Sequence, residues 1–368
     1  MIVIEGTDDY MNQQQTLRYF LGANSANGFY SLYESFASPE DGDFLWIIKG
    51  GAGCGKSSFM KMLGSSAEDA GLDVEYALCS GDPSSLDGVY LPALKTGYMD
   101  GTAPHLRDAH IAAIDSAYID MGTLYDIEAI AEHGTELREL FKASAAKYKK
   151  ANALLRAAGA LRTDWQSGFA SQAERENALK RINGIIGREI GKRRVKGGRI
   201  TKRFLSALSC SGEMSLMETA EKLCNRFYLL DNRLQLGEYV LPKIAEAAMA
   251  AGHRVIACPL PLAPNVLEAV LIPGLSLGFV CSTSGLGGAA PFRRIRLDAF
   301  FEGETAKPLR PEIRRCEKLT EALQNEAISA LSEAKKLHDK IESIYNPHVD
   351  FDGAYALVRQ HQSALGLK

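Results

Sequence analysis

The sequence lacks the features that mark a membrane protein or a disulfide-rich extracellular domain. Its seven cysteines are scattered and form no C-x-x-C pair, which is typical of reduced thiols rather than a disulfide or zinc framework. The most apolar stretch, "AVLIPGLSLGFVC" (269–281), is broken by a proline and is shorter than the ~20 residues that a membrane helix needs. The N-terminal residues lack the basic segment of a signal peptide. We therefore expect a cytoplasmic protein with no membrane partner.

A strong charge of either sign is also lacking, since the net charge is −3 over 368 residues. This balance gives no global attraction to nucleic acid or to an anionic surface. At 46% hydrophobic and 24% charged residues, the composition is that of an ordinary globular protein. The length exceeds the size at which one hydrophobic core keeps growing, so two domains are expected.

A glycine-rich segment, "FLWIIKGGAGCGKSSFMKM" (44–62), carries the clearest chemistry. It predicts a buried strand over 44–49, a loop with the spacing G-x-x-x-x-G-K-S, and a helix over 57–71. Glycines let backbone N–H groups surround an anion, and the helix N-terminus adds a partial positive charge. Lys56 would reach the β- and γ-phosphates of a nucleotide, and the Ser57 hydroxyl would bind Mg²⁺. The expected nucleotide-binding residues are Gly50, Gly51, Ala52, Gly53, Cys54, Gly55, Lys56, Ser57 and Ser58.

The sequence also contains an internal repeat. "LDGVYLPALKTGYMDGT" (86–102) and "LEAVLIPGLSLGFVCST" (267–283) share six of 17 residues at an offset of 181, where average composition predicts about one. The glycine-rich segment aligns with "RFYLLDNRLQLGEYVLPKI" (226–244) at 182, and "RYFLGANSANGFYSL" (18–32) with "KRFLSALSCSGEMSL" (202–216) at 184. Three blocks in the same order indicate a tandem duplication.

The repeat separates scaffold from chemistry. Turn and core residues persist, but Lys56 corresponds to Glu238 and Ser57 to Tyr239. Because Glu238 would repel phosphate, we expect the second loop to be inactive. Asp100, which ends an apolar strand, corresponds to Cys281 and is the candidate for a catalytic, metal-binding carboxylate. Asp82 is a weaker candidate for metal or acceptor binding, while Asp115 aligns with Asp298 and suggests a structural cap.

Two further segments are hypotheses for function. His105, in the loop after Asp100, could orient a water molecule or bind an acceptor, although a surface role is the simpler interpretation. Residues 180–203 contain ten Lys or Arg and one Glu, but no interleaved aromatic residue supports base stacking. Nucleic-acid binding there is disfavoured relative to a solvated linker. An arginine finger from this linker or from Arg233 is a third hypothesis.

Each α/β unit is followed by helical periodicity, over 125–163 and 171–194 in the first half and over 310–345 and 350–364 in the second. The predicted fold class is therefore α/β, with two tandem P-loop NTPase-like units, each followed by a pair of long helices, the second unit being degenerate. We predict a nucleotide-binding domain over residues 1–198 and a degenerate domain over 199–368.

The segments "GGAGCGKSS", "SLDGVYLPALKTGYMDGTAPH" and the repeated "LPAL" and "IPGL" resemble the P-loop NTPase superfamily. Within it, the architecture is similar to an uncharacterised bacterial family of tandem P-loop ATPases or ATP-binding proteins. That resemblance implies a nucleoside triphosphate as ligand, with ATP and Mg²⁺ as cofactors. ATP is preferred over GTP because the sequence has no N/T-K-x-D motif. The leading hypothesis is a Mg²⁺-dependent ATPase; the alternatives are a small-molecule kinase and a non-hydrolysing, nucleotide-gated scaffold whose protein partner is unknown.

Overall fold

Two six-stranded mixed sheets form the centre of the protein, one in each half of the chain. The computed structural model describes residues 14–104, 106–165, 170–192, 197–232, 234–282, 290–300 and 303–367. In both sheets the alternately buried strand residues pack under the helices, as the apolar patterns of the sequence predict.

The first sheet has the order β1-β5-β6-β7-β4-β8. Its neighbouring strands are parallel except that β6 is antiparallel to both β5 and β7. A hairpin, β2–β3, lies outside it, and helix α1 follows β4. The bounds are β1 Thr16–Phe20, β2 Gly22–Ser25, β3 Gly28–Ser31, β4 Phe44–Lys49, α1 Lys56–Asp69, β5 Val74–Leu78, β6 Leu86–Leu91, β7 Thr96–Asp100 and β8 Ser116–Asp120.

The second sheet has the equivalent order, β9-β13-β14-β15-β12-β16, with β14 as its antiparallel strand. A second hairpin, β10–β11, and helix α6 after β12 complete the correspondence. The bounds are β9 Arg199–Lys202, β10 Ser206–Ser209, β11 Gly212–Ser215, α5 Met217–Leu223, β12 Arg226–Asp231, α6 Gly237–Ala250, β13 Arg254–Leu260, β14 Ala263–Ile272, β15 Leu277–Cys281 and β16 Arg293–Arg296. The 3₁₀ turn Tyr33–Ser35 takes the place of α5 in the first half.

The duplication extends to backbone detail. The turns Pro92–Leu94 and Pro273–Leu275 are both 3₁₀, and the residue after each, Lys95 or Ser276, has a φ of 48° or 49°. Where the halves meet, Phe20 and Phe204 exchange reciprocal N–H···O=C hydrogen bonds of 3.0 Å. Such pairwise equivalence confirms two similar α/β units of one ancestry.

Strand register corrects one detail of the sequence alignment. Ile48 of β4 pairs with Ile119 of β8, and its counterpart Leu230 pairs with Ile295 of β16. Asp298 therefore occupies the turn after β16 and is not the counterpart of Asp115. Loop-length differences between β7 and β8 and between β15 and β16 produced the apparent match.

The long helices cross between the two halves. α3 and α7 pack lengthwise on each other, whereas α4 packs against α6 of the second unit and α8 packs against α1 of the first. The predicted domain boundary near residue 198 stays a prediction, because helices from each half of the chain pack against elements of the other half. The bounds of these helices are α2 Ile127–Glu132, α3 Gly134–Ala160, α4 Gln172–Glu189, α7 Gly303–Tyr345 and α8 Phe351–Ala364.

The predicted strand over 44–49 and the four helical regions are confirmed within a few residues at most helix ends; α7 begins seven residues before its predicted start. Among the described residues, no helix is both long and apolar enough to cross a membrane.

Candidate functional site

The glycine loop, residues 50–57, leaves β4 at the carboxyl edge of the first sheet and enters α1. Gly50, Gly53 and Gly55 have φ values of 150°, 73° and 87°, a region that residues with a Cβ rarely adopt. The loop therefore needs glycine at these positions to turn tightly ahead of the helix. It is the strand–loop–helix arrangement that the sequence predicts.

Lys56, the first residue of α1, folds back over the loop. Its Nζ donates hydrogen bonds of 2.8 Å to the carbonyl oxygens of Gly50 and Gly51 and lies 3.7 Å from Oδ2 of Asp100. Asp100 ends β7 directly beside Ile48 of β4, and its Oδ1 accepts hydrogen bonds from the N–H and hydroxyl of Thr102. The structure thus brings together the two charged residues that the sequence singled out.

The first turn of α1 favours an anion. It contains no acidic residue, and its initial N–H groups point toward the loop, where the helix dipole is positive. Ser57 accepts a hydrogen bond of 2.9 Å from the N–H of Leu86 through its Oγ. Its hydroxyl hydrogen and second lone pair remain available for another contact.

Asp87 is a carboxylate at this edge that sequence reasoning missed. Gly88 pairs with Met99 across β6 and β7, so the next cross-strand position places Asp87 opposite Asp100 on the same face. Asp87 is buried and accepts a 2.5 Å hydrogen bond from the Tyr33 hydroxyl. Its counterpart at offset 181 is Glu268, which is also acidic. Retention in both units favours a scaffold role for this carboxylate.

Asp82 is engaged in local structure and in a contact with the second half. Its Oδ1 accepts hydrogen bonds from the N–H and hydroxyl of Ser84, and its Oδ2 lies 3.2 Å from Nζ of Lys335 in α7. Hydrogen bonds from Ser84 and the neighbouring Lys335 cation lower the pKa of Asp82, against the opposing effect of burial. The other loop candidates, His105 and Arg233, lie outside the described residues.

Residues from the end of α7 contact the glycine loop. With its amide nitrogen facing them, Asn346 donates hydrogen bonds of 3.2 Å to the carbonyl oxygens of Gly53 and Glu342. A Cβ on Gly53 would approach a side-chain atom of Asn346 to 2.5 Å. Tyr125 donates to the Ala52 carbonyl at 2.8 Å. Sequence separation concealed these contacts, and no local pattern distinguishes Asn346 from any other helix-end asparagine.

The equivalent loop of the second unit, residues 232 and 234–239, is called the twin loop, and several of its groups bond to other protein groups. Oδ1 of Asn232 accepts the Gly237 N–H at 2.6 Å, and Arg162 forms a 2.5 Å ion pair with Glu238. Both side chains of that pair are largely buried, 13% and 18% exposed. The N–H of Gly237, the first residue of α6, and the side chain in the place of Lys56 therefore both have partners within the protein. The inactivity of this loop stays a prediction.

The basic stretch 180–203 is divided between α4 and β9, and several of its cations have internal partners. Arg188 contacts Glu189 and Tyr228, Arg199 pairs with Asp41, and Arg203 donates to the Ser35 carbonyl. These contacts give the three arginines structural roles within the fold.

The oxygen donors at the glycine loop fit Mg²⁺ carried by a polyphosphate. Mg²⁺ usually takes one or two protein carboxylates together with phosphate oxygens and water, and the hydroxyl of Ser57 and the carboxylate of Asp100 are hard oxygen donors of this kind. No cluster of three or more His, Cys, Asp or Glu suited to a metal occurs among the described residues. A dedicated all-protein cage, as for zinc, is accordingly not part of the described site.

Comparisons of the chain with protein-family models, with curated proteins and with solved structures gave no match.

Proposed function

We propose that the protein binds ATP with Mg²⁺ at the glycine loop of its first unit and hydrolyses it there. The observation that carries the proposal is the position of Lys56, held between the carbonyl oxygens of the loop and Asp100 at the N-terminus of an anion-favouring helix. Such a combination of glycine loop, helix dipole and one mobile cation suits a polyphosphate. The twin loop, with Glu238 in place of the lysine, serves as an internal negative example.

Each residue of the site has a distinct task in this proposal. The backbone N–H groups of residues 53–57 bind phosphate oxygens, and Lys56 exchanges its carbonyl partners for the terminal phosphates. Ser57 and Asp100 would hold Mg²⁺, which when bound neutralises charge on the phosphates. Because ordered loop dipoles are already oriented, little reorganisation opposes charge development at the transferred phosphate.

The decisive experiment measures Mg²⁺-dependent release of ADP from ATP, together with calorimetric binding of ATP and GTP. We expect Lys56→Ala to abolish release and to weaken ATP binding at least about tenfold, which corresponds to 1.4 kcal/mol. Lys243→Ala is the matched control, since Lys243 lies on the exposed face of α6 and pairs with Glu246. Equal hydrolysis by the Lys56→Ala variant and the wild type would contradict the proposal.

A non-hydrolysing, nucleotide-gated scaffold is the second candidate, and a specific observation favours it. Asn346, the residue after α7, belongs to the second half yet contacts the glycine loop, and α7 itself packs along α3. A bound nucleotide is thereby adjacent to a long inter-unit helix pair. Tight ATP binding that depends on Lys56, without ADP release, would select this function over an ATPase.

The kinase hypothesis depended on Asp82 as an acceptor-binding group. Its bonds to Ser84 and Lys335 instead give it a structural set of partners. In the same assay, a kinase would release ADP only after an acceptor from a metabolite mixture is added, and Asp82→Asn would remove that stimulation.

A further inference from the structure

The ends of α3 and α7 occupy equivalent places at the two loops. In the second unit, Gln235 Nε2 donates at 3.3 Å to the carbonyl oxygen of Arg162, just beyond α3. In the first unit, the counterpart of Gln235 is Gly53, and Asn346, just beyond α7, contacts it. Arg162 and Asn346 thus lie at equivalent places, each just beyond a long helix and against the same position of the two loops.

This equivalence indicates which part of the glycine loop the side chain of residue 346 contacts. Arg162 directly contacts Glu238, which stands where the first unit has Lys56. In the first unit, Asn346 contacts Gly53, which belongs to the same loop as Gly50 and Gly51, whose carbonyl oxygens Lys56 binds. In the proposed function Lys56 exchanges these carbonyl partners for the terminal phosphates of ATP.

The chemistry of the two side chains suits their two loops. Arg162 supplies the positive charge that the anionic Glu238 requires. Asn346 faces a loop that already has a cation, and its neutral amide adds no second charge. Its two N–H donors bond to the carbonyl oxygens of Gly53 and Glu342. Because the residue is exposed to solvent, one of these donors could exchange its carbonyl partner for a phosphate oxygen.

Packing holds Asn346 in this position. Tyr345, its neighbour, contacts the ring of Tyr125 at a centroid distance of 5.4 Å. On the other side, α8 is bound to the first unit by a 3.1 Å contact between His361 Nδ1 and the Tyr98 hydroxyl and by a 2.8 Å hydrogen bond from Gln362 to Ser66. Both ends of the 345–351 turn are thus fixed to the unit that contains the glycine loop.

We propose that Asn346, contributed by the second half of the chain, is a positioning residue that donates a hydrogen bond to the terminal phosphate of the nucleotide bound at the glycine loop. This inference rests on the proposed function. It assigns the inactive unit a direct part in the active site, and it makes binding of the triphosphate stronger than binding of the diphosphate.

The test compares dissociation constants for Mg²⁺-ATP and Mg²⁺-ADP in the wild type, Asn346→Asp, Asn346→Ala and the control Ser343→Ala. Ser343 is exposed and its hydroxyl bonds only within its own helix turn, to Lys340, among the contacts described. The aspartate keeps the shape of asparagine but repels phosphate. We expect it to weaken ATP binding about tenfold and ADP binding less than threefold, with about a threefold loss of ATP affinity for alanine and no change for Ser343→Ala.

A melting curve without nucleotide measures the structural cost, since Asn346→Asp loses its hydrogen bonds to Gly53 and Glu342 and should melt about 2–4 °C lower. A purely structural role would weaken ATP and ADP binding equally, so the difference between the two nucleotides identifies the phosphate contact. Unchanged ATP affinity in Asn346→Asp, alongside lost affinity in Lys56→Ala, would overturn the inference and leave the proposed function standing. Equal losses for ATP and ADP would also overturn it. If the wild type bound no ATP, both this inference and the proposed function would be wrong.

Discussion

Lys56, the first residue of α1, and Asp100, the last residue of β7, face each other with Nζ 3.7 Å from Oδ2. In the second unit, Glu238 has the opposite charge to Lys56, and Cys281 replaces the charged Asp100 with a thiol. Burial raises the pKa of the Cys281 thiol. The lysine and the aspartate thus occur together in the first unit and are both absent from the equivalent places of the second.

The first prediction concerns Asp100→Asn. Because the amide keeps the size of the carboxylate but not its charge, Mg²⁺-dependent hydrolysis should fall at least about tenfold, while ATP binding measured in EDTA should change little. Asp120→Asn is the matched comparison, since Asp120 ends β8 on the other side of β4 and caps Gly122. If Asp120→Asn alone abolished hydrolysis, the assignment of the metal-binding carboxylate to Asp100 would be wrong.

A second prediction concerns the ion pair in the twin loop. Removing one member of a largely buried pair leaves the other charge without compensation. Arg162→Ala should therefore lower the free energy of unfolding by about 1–3 kcal/mol. Adding Glu238→Ala should restore part of that loss, which urea denaturation of the two single variants and the double variant would measure.

ATP hydrolysis at the first loop should be unaffected by these changes in any variant that remains folded. Additive losses in the double variant would show that the two side chains do not stabilise each other.

The third prediction is a pH dependence at Glu268. Burial raises the pKa of its carboxyl group to about 8 from an ordinary value of 4.5, despite hydrogen bonding from Ser206. The folded state thus holds a proton that the unfolded state releases, so this group makes the free energy of unfolding decrease as the pH rises from 4.5 to 8. Glu268→Gln should remove this component and flatten the curve.

Urea denaturation at several pH values would measure the effect. Glu213→Gln removes the neighbouring carboxylate that also raises the Glu268 pKa, so it should shift the slope toward lower pH without removing it. Parallel pH curves for the wild type and Glu268→Gln would show that Glu268 titrates alike in both states.

Local sequence determined the parts of this protein that depend on short-range physics. Glycines that must adopt positive φ, an apolar strand before them and a helix after them gave the loop over 50–57. Likewise, repeated turn residues such as Pro92 and Pro273 mark two equivalent units in the sequence itself. Asp100 was found because its loss in the second unit accompanied the loss of Lys56.

Tertiary structure alone decided which helices meet which sheet. The amphipathic pattern of a helix shows that one face is buried but not which element that face packs against. The packing of α4 on the second unit and of α8 on the first therefore has no local signal. Asn346 reaches Gly53 because the chain returns to the first unit after α7. Asp87 likewise gained its place opposite Asp100 from strand register rather than from any motif, since pairing across a sheet is set by packing of whole strands.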